Sequence, residues 1–356
     1  MPTSQQWLEV RAHLLERRHE LAVEAAGEYP DVPKVAGTPL LTAPHWMPAA
    51  PVPLADLTLS LSQSSAFGDF GSDLLPDGFA SYSDAMAALA APSVFENRET
   101  YRLLDFTLPR LTFGLGSYFD GIDVGEACAH EYAARSLGVT GELPLRSSIG
   151  DPCDPARRPV NVAISTLTIR HDSASGDATF YLHWRDPKRV GHAGGMYQVL
   201  PVGVFQSAGD DDFSLWHSMI REFAEELLGV PEIHGVDYAS WPFAQRLSEA
   251  ARVSYLGMGV DPLTFATDML TVAVIEAARF DALFGDLVSH NDEGRVLEGL
   301  PFTAANVERF VHHEPTQAAG AALLSLAWQH GETLLTSGTD WAGAPRPSSR
   351  GRAAST

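Results

Sequence analysis

The stretch SMIREFAEELLG, residues 218–229, sets Glu222, Glu225 and Glu226 beside Arg221 and contains no lysine. Wound at about 100° per residue with Glu222 at zero, Glu226 falls near 40° and Glu225 near 300°. Trp216, Met219, Ile220, Phe223 and Leu227 fall roughly between 60° and 160° on the same wheel. One stripe therefore faces a core, and the carboxylates share the neighbouring face. Like charges one turn apart on an exposed helix cost a few tenths of a kcal/mol. A positive partner against that face would relieve them, and a divalent cation such as Mg²⁺, which takes oxygen ligands, has the right chemistry. The plain alternative is a solvated acidic face in an acidic chain.

Outward from this helix, the second half of the chain has a regular rhythm. VNVAISTLTIRH (160–171) and ATFYLHWRD (178–186) read as strands joined by the turn SASGD, which makes a hairpin. GGMYQVLPVGVF (194–205) is a third apolar segment, and QSAGDDD (206–212) leads into the glutamate helix. RVSYLGMGV (252–260) and DMLTVAVIEA (268–277) are strand-like; 303–311 and 316–335 read as helices. The tail from 336 to 356 is small, polar and proline-bearing, and is expected to be disordered.

Read together, REFAEELLG and this order of elements resemble the Nudix hydrolase superfamily, whose box runs G-x5-E-x7-R-E-U-x-E-E-x-G-U with U aliphatic. The resemblance covers about residues 156–335. It implies a C-terminal Nudix-like α/β/α sandwich in an α/β chain, and hydrolysis of a pyrophosphate or phosphate linkage in a nucleoside-diphosphate-like substrate with Mg²⁺ or Mn²⁺. Carried over by position, Arg221 would orient the glutamates by ion pairing. Glu222 would bind metal or act as general base, Glu225 and Glu226 would bind metal, and the carbonyl of Gly203 in PVGVF would approach it. The metal would neutralise the phosphates and lower the pKa of a bound water. The family's further acid is matched to Asp268, and Arg185 and Arg189, ahead of Gly194 and Gly195, sit where this fold could reach a substrate phosphate; a solvated turn is the equally plain reading.

The match departs from the pattern in the loop. Gly203 to Arg221 is longer than the motif allows, the early glutamate falls on Phe213, and the closing glycine comes one residue late at Gly229. Asp212, with Asp210 and Asp211 beside it, is one residue off and has a shorter reach. These departures leave a second reading open, a catalytically inactive Nudix-like module for nucleotide sensing or protein interaction.

The first half, 1–155, reads as a mixed α+β domain of unassigned role. It has a helix over 5–28, a proline-rich apolar segment over 37–57, a strand at 57–63, a helix at 81–91, two strands over 101–116 and a helix at 121–138. GDPCDPARRP marks the boundary. Its opening segments are similar to regions joined to Nudix-like domains in actinobacterial regulator-type proteins, some of which carry a helix-turn-helix. Glu126 and His130 are spaced i, i+4, which suits a shared metal; capping and solvating a helix is the plainer reading. The apolar proline-rich segment is a possible surface for self-association.

Of the 356 residues, 45 are acidic and 24 basic, a net charge of -21. That balance argues against DNA as a partner, because a phosphate backbone needs clustered Lys and Arg. It leaves room for a nucleotide-type small molecule held through a cation. Two cysteines, Cys128 and Cys153, imply no disulfide framework, and no segment has the length of a signal peptide's apolar run or a membrane span. A cytoplasmic protein without membrane contact is the expectation.

Overall fold

The computed structural model describes residues 2–63, 67, 74–92, 95–185, 194–209, 212–233, 235–285, 287–288 and 294–336. Its centre is a mixed seven-stranded sheet. Val162–His171 lies parallel to Thr267–Glu276, which in turn pairs antiparallel with Ala251–Val260. The other edge of Val162–His171 is shared. Ala178–Phe180 pairs with one end as the expected hairpin, and Val202–Val204 pairs with the other, Gly203 opposite Ile164.

Strand alternation sorts the side chains of this sheet into two cores. Val162, Ile164, Met269, Ala273 and Ile275 join Met219, Ile220, Phe223 and Leu227 of the glutamate helix, with Phe243 and Leu247 of helix Pro242–Ala250 and Phe280 and Phe284 of helix Ala277–Phe284. Leu167, Ile169, Leu270, Val272 and Val274 instead join Ala319, Ala322, Leu323 and Leu326 of helix Ala318–Gln329. Helices thus cover both faces, which is the expected α/β/α layering.

The expected strand over 178–186 divides. Ala178–Phe180 stays in the central sheet, while Leu182–Arg185 crosses into a separate three-stranded sheet with Tyr197–Val199 and Gly294–Val296. The break falls at Tyr181, whose ring stacks on Phe280 with centroids 4.9 Å apart.

The first half packs closely against this sheet. Val52–Pro53 adds an edge strand to Ala251–Val260, and Glu99–Thr107 and Arg110–Ser117 form an antiparallel pair in a further sheet. The proline-rich segment is ordered by the same contacts. Leu40, Leu41 and Trp46 are buried, and the Tyr255 hydroxyl donates to the Trp46 carbonyl at 2.6 Å. Met47, Val52, Leu54 and Leu57 of the same segment are half-buried. No helix among the described residues is long and apolar enough to cross a membrane.

Glu126 and His130, on helix Tyr118–Ser136, neither share a metal nor solvate a surface. Glu126 is buried and accepts from Arg18 at 3.0 and 2.9 Å and from Arg11. His130 stacks on Trp7, and its Nδ1 lies 3.2 Å from the Tyr82 hydroxyl. Burial, with the charge of Arg11 beside it, lowers the His130 pKa to about 3, so the ring is neutral. The i, i+4 spacing here serves core packing, because helices Ser4–Glu16 and Arg18–Ala25 lie across that face.

Candidate functional site

Ser214 caps the glutamate helix, accepting from the His217 amide, and residues Leu215–Glu222 are α-helical. Phe223–Leu227 then widens into a π turn. Gly229, at φ +65°, ends it: its amide bonds the Glu225 carbonyl at 3.0 Å, and the Val230 amide reaches one residue further back than in an ordinary glycine cap, to the Ala224 carbonyl at 3.1 Å. A π turn holds one more residue than an α turn. It absorbs the residue by which Gly229 arrives late in the motif. The wider turn also advances fewer degrees per residue, so Glu226 returns close to the direction of Glu222 while Glu225 falls short of it.

The carboxylates do not form one open acidic face. Glu226 is buried and its Oε1 accepts from the Val202 amide at 3.0 Å. Glu222 is half-buried against Gly203, so closely that a β-carbon built there would overlap its carboxylate and sit 2.5 Å from its Cγ. Gly203, Glu222 and Glu226 therefore meet at strand Val202–Val204, and Glu225 is half-buried on the next position of the turn. Among the described residues no three His, Cys, Asp or Glu side chains stand close enough to hold a metal together.

Arg221 does not orient these glutamates by the expected pairing. Its buried guanidinium is held by Asp212, and its Nη1 donates to the Tyr238 hydroxyl at 2.9 Å. Tyr238 in turn donates to Asp212 Oδ1 at 2.9 Å. One residue before Glu222, Arg221 is turned about 100° away from it, toward the loop that precedes the helix. Asp212 reaches it despite its short side chain because the chain turns there, the Ser214 amide bonding the Asp212 carbonyl at 2.7 Å. Asp212 Oδ2 also accepts from the Ala208 amide. Burial alone would lower the Arg221 pKa; Tyr238 and Asp212 outweigh it and the net direction is upward. Burial likewise raises Tyr238, whose ring lies 3.8 Å from that of His217, nearly parallel. Tyr238 escaped the sequence reading. A tyrosine 17 residues beyond the arginine carries no spacing signal, although its place beside Trp241 marks an aromatic loop.

The remaining residues lie apart from this group. Asp268 and Ser165 share the parity of Leu270 and Leu167, which puts them on the opposite face of the sheet from the glutamate helix. Asp268 is buried, Ser165 donates to its Oδ1 at 2.7 Å, and its Oδ2 has no hydrogen-bond partner. Burial, opposed by the Ser165 bond and helped by Asp261, raises its pKa to about 7. Arg185 belongs to the small sheet, where its Nη1 donates to Gln198 Oε1 at 3.2 Å. Arg189, Asp210 and Asp211 lie outside the described residues.

No protein-family model and no curated protein matches the chain. Solved structures do. NrtR of Shewanella oneidensis, complexed with a 27mer DNA, is 14 % identical over 48 % of this chain and 62 % of its own, with a TM-score of 0.31. A MutT/nudix family protein from Enterococcus faecalis is 12 % identical over 48 % of this chain and 61 % of its own, with a TM-score of 0.29. One from Listeria innocua is 17 % identical over 49 % of this chain and 98 % of its own, with a TM-score of 0.30. The matched part thus spans less than two thirds of the first two proteins. The similar solved structures are thus MutT/nudix family proteins and NrtR. The NrtR likeness also corrects the expectation that DNA plays no part, since that protein is seen on DNA. Net charge sums a whole chain, whereas a phosphate backbone meets only a local patch, so -21 excludes nothing by itself.

Proposed function

We propose that this chain is a Nudix-like module that binds a nucleotide-type small molecule as a sensor, without turning it over. What supports the reading is the way the fold uses the motif. Arg221 is committed to Asp212 and Tyr238, Glu226 accepts from the Val202 amide, and the π turn draws Glu225 away from Glu222. The donor set of the described residues does not fit a three-carboxylate Mg²⁺ site, and no catalytic step through a metal is derived from it.

A second reading, a Mg²⁺- or Mn²⁺-dependent hydrolase of phosphorus anhydrides, is favoured by one observation. Gly203 and two of the helix's glutamates meet at a single spot. A panel of nucleoside diphosphates and dinucleotides, with and without Mg²⁺ or Mn²⁺, separates the two. A ligand at a hundred times its Kd stabilises the fold by about 2.7 kcal/mol. The sensor reading expects a raised melting temperature without product. Metal-dependent product that disappears in Glu226→Gln overturns it in favour of the hydrolase.

A further inference from the structure

On the side of the sheet away from the glutamate helix, a cleft of about 220 Å³ lies between helix Arg18–Ala25 and the start of helix Ala318–Gln329. Val23, Pro39, Met196, Val311 and Ala321 give it apolar walls. Asp261 stands in it, on the turn that joins strands Ala251–Val260 and Thr267–Glu276.

That turn is built around one oxygen of Asp261. Its Oδ1 accepts from the amides of Leu263 and Thr264 at 3.0 and 2.8 Å and from the Thr264 hydroxyl at 2.9 Å. The turn makes no use of Oδ2. Asp261 is only 8 % exposed, yet its Oδ2 accepts from no described residue and is not sealed from solvent. A carboxylate so far removed from water, with one oxygen open to a cleft, calls for a positive donor there.

No basic group of the cleft supplies it. Arg18 turns its guanidinium to Glu126, Nη1 and Nη2 donating at 3.0 and 2.9 Å, and its Nε is closed off. Arg11, which shares Glu126, does not line the cleft. Burial holds His19 below the usual histidine range against the pull of Glu20 and Asp261, so its ring is uncharged at neutral pH. His312 lies 3.8 Å from Glu308. Glu314 gives its Oε1 to Arg309 at 2.8 and 2.6 Å. The start of helix Ala318–Gln329 brings roughly half a positive charge, which the full charge of Asp261 exceeds.

The donor that is missing is organic rather than metallic. Among the described residues no three His, Cys, Asp or Glu side chains stand close enough to hold a metal together, whereas a hard cation takes a shell of oxygen ligands. An ammonium group brings its own N–H donors to a single carboxylate oxygen, and the walls suit a hydrocarbon tail.

We infer that this cleft is a binding site for a small primary ammonium with an aliphatic tail, the nitrogen donating to Asp261 Oδ2 and the tail lying among Val23, Met196, Val311 and Ala321. The inference is independent of the glutamate motif.

Calorimetric titration of the full chain at pH 7 with isoamylammonium, isoamyl alcohol and methylammonium tests it. Isoamylammonium should bind at least tenfold more tightly than the alcohol, which lacks the charge, and than methylammonium, which lacks the tail. Asp261→Asn keeps an oxygen for the Leu263 and Thr264 donors, so the turn survives, but puts an NH₂ group in place of Oδ2. It should weaken isoamylammonium at least tenfold and move the melting temperature little. If Asp261→Asn does not fold, the three ligands on the parent chain decide alone. No binding of isoamylammonium at tens of millimolar, equal binding of the alcohol or of methylammonium, or unchanged affinity in folded Asp261→Asn overturns the site.

Discussion

Gly203→Ala probes the junction on which the glutamate helix rests. Gly203 lies in a strand at ordinary φ, so backbone freedom is not the reason for a glycine there. The reason is space. An alanine β-carbon would overlap the Glu222 carboxylate and stand 2.5 Å from its Cγ, where ordinary contact begins at 3.4 Å. The deficit is about 0.9 Å, and the Glu222 side chain has to swing out to close it. Overpacking of this kind costs about 1–3 kcal/mol. Replacing a glycine returns about 0.4–1 kcal/mol through the unfolded chain. The net loss expected of Gly203→Ala is therefore about 1–2 kcal/mol.

Glu222→Ala removes the obstacle, so the double variant Gly203→Ala/Glu222→Ala should be as stable as Glu222→Ala alone, or slightly more. The coupling energy of the cycle is then about 1–2 kcal/mol. Thermal unfolding followed by tryptophan fluorescence reads it, at roughly 1–2 °C per kcal/mol for a chain of 356 residues. If the two single losses simply add, or if Gly203→Ala alone is silent, Glu222 does not rest on Gly203 and the placement of the motif is wrong.

The other perturbations test separate contacts. Glu126→Gln keeps the shape but leaves the buried Arg11 and Arg18 without their carboxylate, at a cost of about 3–5 kcal/mol; a urea midpoint near that of the parent would contradict the triad. Replacing all three with apolar residues of similar volume should cost far less than the single change. Asp212→Asn strands Arg221 in the same way, and a loss below about 1 kcal/mol would mean that Tyr238 alone can hold it. Asp268 predicts a pH signature. Its folded pKa, near 7, lies above its ordinary 3.8, so the folded state binds the extra proton between those values. Stability then falls as pH rises through that window, by up to about 1.4 kcal/mol per pH unit, and the full penalty stands above pH 7. Asp268→Asn should stabilise the protein at pH 8 and do little at pH 4; an equal effect at both would show that the carboxyl is not protonated by burial.

The elements that were legible in the sequence are those whose period is long and local. The glutamate helix, Val162–His171, Ala251–Val260 and Thr267–Glu276 each carry several turns or alternations of one pattern, and each was found within a few residues. Helix Pro242–Ala250 was missed although Pro242 at its first turn is a start signal. So was Ala277–Phe284, which follows its strand with no break. Tertiary choices were the least visible. Nothing local in the sequence marks Glu126 as the partner of arginines 108 and 115 residues away, or tells Tyr181 to end one sheet pairing and begin another.

The reading of the carboxylates turned on a similar gap. Like-charge repulsion on a helix argues for a cation only if the carboxylates face water or one another. Here a backbone amide holds Glu226, a missing β-carbon makes room for Glu222, and a wide turn separates Glu225 from it. The first two depend on a strand about twenty positions earlier in the chain. The third depends on one inserted residue, which was legible as the late glycine and has a physical meaning only once the helix is seen to widen around it.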